Sequence, residues 1–230
     1  MAEAGSDYIL GGEVSSPHAW PWHVGLEHYT HRDPICGGSL ITQSHVLSAA
    51  HCVYDMVEVR SEDGSIALNF LFTMFQTPRV IRVSLGDHSW MDKKYKFVTV
   101  SKIVIHPDFV ITPDYMGWDY AVLTLTKPVQ FSHKVQPICL PASGLQDYSG
   151  KQATITGWGL QNYTDYGRPP KRLRVANVTI ISNAECQEAW DKWENGFNVT
   201  EENICTWDKG TRGSCRGDSG GPMFVKENTR

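Results

Sequence analysis

The sequence predicts an all-β protein, a barrel or a sandwich, and three observations point there. Short β-branched runs recur along the chain. Gly, Pro, Asn and Asp separate them, the punctuation of strands joined by turns. Only one stretch, residues 183–195, carries a helix-like pattern, with Asn183 at the N-cap and acidic Glu185 in the first turn.

In chain order the first clear strand is Gly38-Ser39-Leu40-Ile41-Thr42. Residues 61–79 then insert Ser-Glu-Asp-Gly-Ser and a hydrophobic tract between two segments that otherwise read as consecutive strands. Structureless loops beyond about 12 to 15 residues are uncommon, and one this apolar would be sticky. The insert therefore reads either as a long surface loop or as a gene-model artefact. Val80-Ile81-Arg82-Val83 and Ala121-Val122-Leu123-Thr124-Leu125 follow as strands. The proline-marked stretch from Lys127-Pro128 to Leu140-Pro141 is the best internal linker and divides the chain into halves of similar size. Beyond it lie Ala153-Thr154-Ile155-Thr156 and residues 175–181, two further strands.

A chain of 230 residues can form one or two units with real cores. Its net charge of -4 and pI near 6.1 offer no basic stripe and no polybasic patch, which argues against nucleic-acid and membrane partners. The longest apolar tract, residues 67–75, is interrupted by Asn69 and Thr73 and falls far short of the ~20 residues of a membrane helix.

The strongest chemical signal is Gly217-Asp218-Ser219-Gly220-Gly221-Pro222. A serine among glycines can sit on a tight, exposed turn with backbone N–H groups free to face a developing oxyanion. The same residues fit the Gly-x-Ser-x-Gly nucleophile elbow, which needs its acid and histidine downstream of the serine. Residues 220–230 contain neither Asp nor His, so the elbow reading fails. The histidine must then lie upstream, among His18, His23, His28, His31, His45, His51, His88, His106 and His133. His51 stands apart in Ser48-Ala49-Ala50-His51-Cys52, where small residues pack closely and the adjacent cysteine can anchor the loop. A base has to be held within about 2.6 to 3.2 Å of its nucleophile, so anchoring has a mechanical purpose. Asp119 leads the run 121–125, a place for a shielded carboxylate, though an Asp at a strand start is also an ordinary turn residue. No His-Glu-x-x-His occurs, and His28-x-x-His31 reads as a polar loop, so no metal is expected.

Together, Ala49-Ala50-His51-Cys52, Asp119-Tyr120-Ala121-Val122-Leu123 and Gly217-Asp218-Ser219-Gly220-Gly221-Pro222 resemble the signature blocks of the chymotrypsin/trypsin family, in that family's order. The likeness extends to Ile9-Leu10-Gly11-Gly12, Pro21-Trp22, Cys36-Gly37-Gly38-Ser39-Leu40-Ile41, Pro137-Ile138-Cys139-Leu140-Pro141 and Thr156-Gly157-Trp158-Gly159. It implies two six-stranded antiparallel barrels with the active site between them: a first barrel over about residues 9–126 and a second over about 127–230, incomplete at its C-terminal end. It implies a serine endopeptidase in which Ser219 attacks, His51 carries the proton and Asp119 orients the imidazole. The N–H groups of Gly217 and Ser219 would form the oxyanion hole, and Asp218 would pair with a new α-amino group at Ile9 once residues 1–8 are removed. Those eight residues read as a propeptide remnant or an inauthentic N-terminus, and Tyr8 departs from the basic residue that such zymogens carry there.

By the same resemblance Cys36 pairs with Cys52 and Cys186 with Cys205. Cys139 and Cys215 match positions whose partners lie outside this chain, while Ala153 and Val225 stand where many relatives carry a bridged pair. The base of the primary specificity pocket falls at Gly213, six positions before Ser219. Trypsin-like members carry Asp there; a neutral base favours apolar or aromatic side chains, because a buried cation would lack its partner. The family's substrate-pairing strand and C-terminal helix would follow residue 230, so the chain as written is expected to be poorly active or unstable. No cofactor is implied, and the partners implied are polypeptide substrates and protein protease inhibitors. The N-terminus has no signal-peptide pattern. Six cysteines, the sequons at Asn162, Asn177 and Asn198 and the family blocks nevertheless point to a secreted glycoprotein. The competing reading is a non-catalytic binding module on the same fold; such relatives usually lose triad members, and this chain keeps all of them.

Overall fold

The computed structural model describes residues 9–29, 33–54, 59–60, 66–67, 81–91, 96–112, 115–142, 146–160, 169–192 and 196–226. The N-terminal half contributes β1 (Glu13–Val14), β2 (His23–His28), β3 (Cys36–Leu40), β4 (His45–Ser48), β5 (Val59–Arg60), β6 (Ile66–Ala67), β7 (Ile81–Leu85), β8 (Lys96–Ile105), β9 (Val110–Thr112), β10 (Tyr115–Gly117) and β11 (Ala121–Leu125). Six of these close into an antiparallel barrel in the order β11-β4-β3-β2-β7-β8, while β9 pairs with β10 and β5 with β6 as separate ribbons. Successive side chains on a strand face opposite sides. On β11 Ala121, Leu123 and Leu125 accordingly point into the barrel and are buried, and Val122 and Thr124 are less so. Val24, Leu26, Leu40, Val46, Val83 and Leu123 are fully enclosed there. Each such side chain contributes about 1.5–3 kcal/mol through burial, so the barrel is a firm base for whatever its strand ends carry.

The second half adds β12 (Gln152–Gly157), β13 (Arg174–Ile181), the helix α1 (Asn183–Trp190), β14 (Cys205–Thr206) and β15 (Met223–Val225). Among the described residues it forms an open five-stranded sheet, β1-β13-β12-β15, with β14 also on β13. The first barrel thus matches the expectation, whereas the described part of the second half is a sheet. Dividing the chain near residue 126 assigns the N-terminal residues to the first barrel, but Glu13 and Val14 pair with Val175 and Arg174. The reason is that β13 has an edge whose amides need partners, and β1 supplies them.

The helix-like stretch is α1, but its N-cap is Ser182 rather than Asn183. The Ser182 hydroxyl accepts from Glu185 N at 3.2 Å, and the Glu185 carboxylate accepts from Ser182 N at 3.0 Å. This reciprocal capping box satisfies two otherwise orphaned donors, which frees Asn183 to donate its side-chain amide to Thr200 O. Of the insert 61–79 only Ile66–Ala67 is described, and residues 1–8 and Asn162 also lie outside the described residues. No helix among the described residues is long and apolar enough to cross a membrane.

Candidate active site

His51 sits just past the end of β4, on the 3-10 turn Ala50–Cys52. Ala50, Cys52 and Val53 are buried beneath the turn, and a disulfide from Cys52 to Cys36 ties it to β3. Small residues below and a covalent anchor beside it leave the imidazole partly exposed and its backbone fixed.

Asp119 precedes β11, which lies between β4 and β8 and pairs Ala121 with Ser48. Antiparallel pairing therefore delivers Asp119 and His51 to the same end of the barrel. Both carboxylate oxygens are spent on one neighbour: Oδ1 accepts from His51 N at 2.9 Å, and Oδ2 accepts from His51 Nδ1 at 2.6 Å. A carboxylate only accepts, so Nδ1 carries the hydrogen and Nε2 of the neutral ring keeps its lone pair. That nitrogen lies 3.7 Å from Cys52 Sγ.

Ser219 stands between two tight turns, one closed by Asp218 N to Cys215 O at 3.0 Å and one by Gly221 N to Asp218 O at 2.9 Å. Its carbonyl accepts from Gly37 N at 2.8 Å, which stitches the loop to β3 beside the disulfide. Gly220 has φ +73°, and a Cβ there would lie 2.2 Å from Ser48 Oγ and 2.7 Å from Gly37 O. Glycine is needed for both the left-handed backbone and the close approach. The loop of Ser219 thus rests directly on the strand that leads to His51. The Ser219 hydroxyl itself is not hydrogen-bonded to His51.

Two amides near Ser219 have their directions set by the carbonyls of their own peptides. Leu160 N donates to Arg216 O at 2.7 Å, and Gly221 N binds Asp218 O. In a trans peptide the N–H points away from the C=O, so Gly217 N–H and Ser219 N–H face away from those carbonyls. Among the described residues neither donates to a backbone carbonyl.

Asp218 points inward, accepting from Gly159 N at 2.7 Å and Cys215 N at 2.9 Å. Burial pushes its carboxyl up to about 6, against the lowering effect of those two amides. Ile9 is buried as well, and its neighbour Leu10 bridges to Gly213. A Cβ at Gly213 would meet nothing within 4 Å.

The disulfides Cys36–Cys52 and Cys186–Cys205 are formed, with Cys139 and Cys215 free. Ala153 and Val225 stand opposite each other on β12 and β15. Cys36, His51 and Cys52 cluster closely, but both sulfurs are in the disulfide and neither is a thiolate able to hold a metal.

Sequence reasoning passed over His23. It is buried on β2, with Nδ1 2.8 Å from Thr156 Oγ1 and its ring edge-on to Trp158 at 4.8 Å. Burial lowers its pKa to about 3, so it is a neutral strut between the two halves beneath the Ser219 loop. No sequence signal marks it, because His23 to Glu27 are all buried and alternation is lost.

A model of the Trypsin family matches residues 9–229. Tryptase of Mus musculus is 35% identical over 223 residues, covering 95% of this chain and 74% of that protein. The solved structure of neuropsin, a serine protease expressed in the limbic system of mouse brain, superposes with a TM-score of 0.73 at 27% identity, covering 94% of this chain and 82% of that one. With a family match across almost the whole described chain and this barrel geometry, the protein belongs to the trypsin family of serine proteases.

Proposed function

We propose that the chain is a serine endopeptidase working through His51, Asp119 and Ser219. The observation that carries this reading is the double hydrogen bond from His51 to Asp119, which presents Nε2 as a base on the barrel end where the Ser219 loop is seated. Ser219 would attack the scissile carbonyl as Nε2 takes its proton, forming a tetrahedral intermediate. Collapse of that intermediate would pass the proton to the leaving amine and leave an acyl-enzyme for water to cleave. The N–H groups of Gly217 and Ser219 are the oxyanion donors, where losing one costs about 10² to 10³ in rate. Cleavage before Ile9 would create an ammonium at a buried residue, and its pairing with Asp218, whose carboxylate accepts from the amides of Gly159 and Cys215, would pull that carboxyl back down. Open space at the neutral Gly213 favours Phe, Tyr or Leu before the scissile bond. Two disulfides fit an oxidising, extracellular setting, and exposed Asn177 and Asn198 are accessible to glycosylation.

The test uses protein released at Ile9 by a cleavable leader. It should hydrolyse Phe, Tyr or Leu peptides faster than Arg or Lys peptides, and a serine-directed organophosphate should label Ser219 and abolish activity. An Arg preference would refute the pocket assignment alone. The second reading, a binding module, draws on Nε2 lying against Cys52 Sγ rather than on the Ser219 hydroxyl. Absence of both labelling and hydrolysis in correctly processed, folded protein would favour it.

A further inference from the structure

The backbone that delivers Asp119 is strained. Trp118 has φ +53°, a left-handed conformation that a bulky side chain rarely adopts. Tyr120 N donates back to Trp118 O at 2.7 Å, so Asp119 is the middle residue of a closed three-residue turn. Relaxing Trp118 to the usual negative φ would rotate the peptide joining it to Asp119 and swing the carboxylate off His51. Something must hold the strained form.

The indole of Trp118 lies flat on the imidazole of His106, with centroids 4.7 Å apart and planes 11° from parallel. His106 is a firm platform. Its N donates to Tyr120 O at 2.9 Å and its O accepts from Phe109 N at 3.0 Å. Its ring nitrogen Nδ1 accepts from Asp108 N at 3.2 Å, which sets the ring's rotation. Aromatic stacking offsets a substantial part of what one left-handed residue costs, so losing the stack tips the turn toward relaxation. Trp118 is otherwise more than a third exposed, so burial alone does not account for where the indole sits.

We propose that His106 and Trp118 are a positioning pair: their stacked rings clamp the turn that aims Asp119 at His51. Neither is a catalytic residue. The proposal rests on the reading of Asp119 and His51 as orienting acid and base, and it extends that reading to two residues outside the three signature blocks.

The first measurement is proton NMR of the intact chain, following the low-field resonance of the His51 Nδ1 proton held by Asp119. It needs neither processing nor activity. His106→Ala and Trp118→Ala should lose or broaden this resonance, while His106→Phe and Trp118→Phe, which keep a ring to stack, should retain it. Trp118→Ala keeps the backbone strain and removes the clamp, so Trp118→Gly, which removes the ring but also relieves that strain, should lose less of the resonance than Trp118→Ala. In the processed protein, kcat should fall about tenfold or more in the first two variants with KM within about twofold, as expected when a catalytic group is misaligned. Should His106→Ala fail to fold, His106→Leu keeps the bulk without a stacking plane and should behave as the Ala variant is expected to. A resonance and kcat unchanged in His106→Ala or His106→Leu overturns the proposal, as does loss in His106→Phe or absence of the resonance in the parent chain. If the resonance responds as expected while no variant or parent cleaves peptides, the clamp stands and the protease reading fails. If peptides are cleaved and the resonance ignores every substitution, the clamp alone fails.

Discussion

At Asp119 both oxygens are committed to His51, one to its backbone and one to its ring. Asp119→Asn keeps the shape but turns an N–H₂ or a lone oxygen toward Nδ1, so the ring can take the tautomer that protonates Nε2. The expected result is a chain with an almost unchanged melting temperature and kcat lowered by about four orders of magnitude, measured in the processed protein. At Gly220 the constraint is steric. Gly220→Ala would drive a methyl group into Ser48 Oγ and Gly37 O at a left-handed position, and should cost about 2 kcal/mol or more. Denaturant midpoints would show it. Adding Ser48→Ala should recover only part, because the Gly37 carbonyl is backbone and cannot leave. A Gly220→Ala chain as stable as the parent would mean that the loop does not seat on β3 and β4.

Strands and turns decide how these groups are carried. The Cys36–Cys52 bridge closes a loop with a sequence separation of 16 residues. Replacing both cysteines by serine should cost about 3 kcal/mol through the freed unfolded chain. Since the bridge also pins the turn of His51, activity should fall more than stability alone predicts, which chemical denaturation beside kinetics would separate. The strand cores at 121–125, 153–156 and 175–181 were legible from β-branched runs set between turn residues. β1, β5 and β14 were not, because two-residue strands have no period to detect. Ser182 was passed over as the cap because Asn183 suits that role equally well by residue type. Only the spacing to Glu185 distinguishes them.

Two buried groups joined to the core make the intact molecule respond to pH in opposite senses. His23 is lowered to about 3 from an unfolded value near 6.5, so the unfolded chain binds the extra proton and stability is lost as pH falls below about 6.5. Asp218 is raised to about 6 from 3.8, so the folded chain binds the extra proton and stability is gained as pH falls from about 6 to about 4. One proton each way cancels, which predicts a pH-insensitive interval between about 6 and 4 from this pair. In Asp218→Asn the His23 slope should emerge there, at about 1.4 kcal/mol per pH unit. Urea midpoints of the two proteins across that range measure the difference, and parallel curves would refute the assignment to Asp218. If processing at Ile9 pairs its new ammonium with Asp218 as proposed, it should act like the substitution, because a paired Asp218 no longer titrates near 6.

The chemistry-bearing blocks of this chain are local. Tight glycine turns, a small-residue loop beside a cysteine and an acid leading an apolar strand each declare themselves within a few residues, so His51, Asp119 and Ser219 were legible as candidates, as was the all-β class. Tertiary structure decided what depends on groups distant in sequence. The tautomer of His51 is set by Asp119, which lies 68 residues away. The low pKa of His23 comes from its burial, with Thr156 and Trp158 of the other half of the chain packed against it. The left-handed Trp118 is matched to His106 by packing that no period encodes. A residue's own type announces what chemistry it can do, but hydrogen-bond direction, desolvation and strain arise only when the fold brings its neighbours to it.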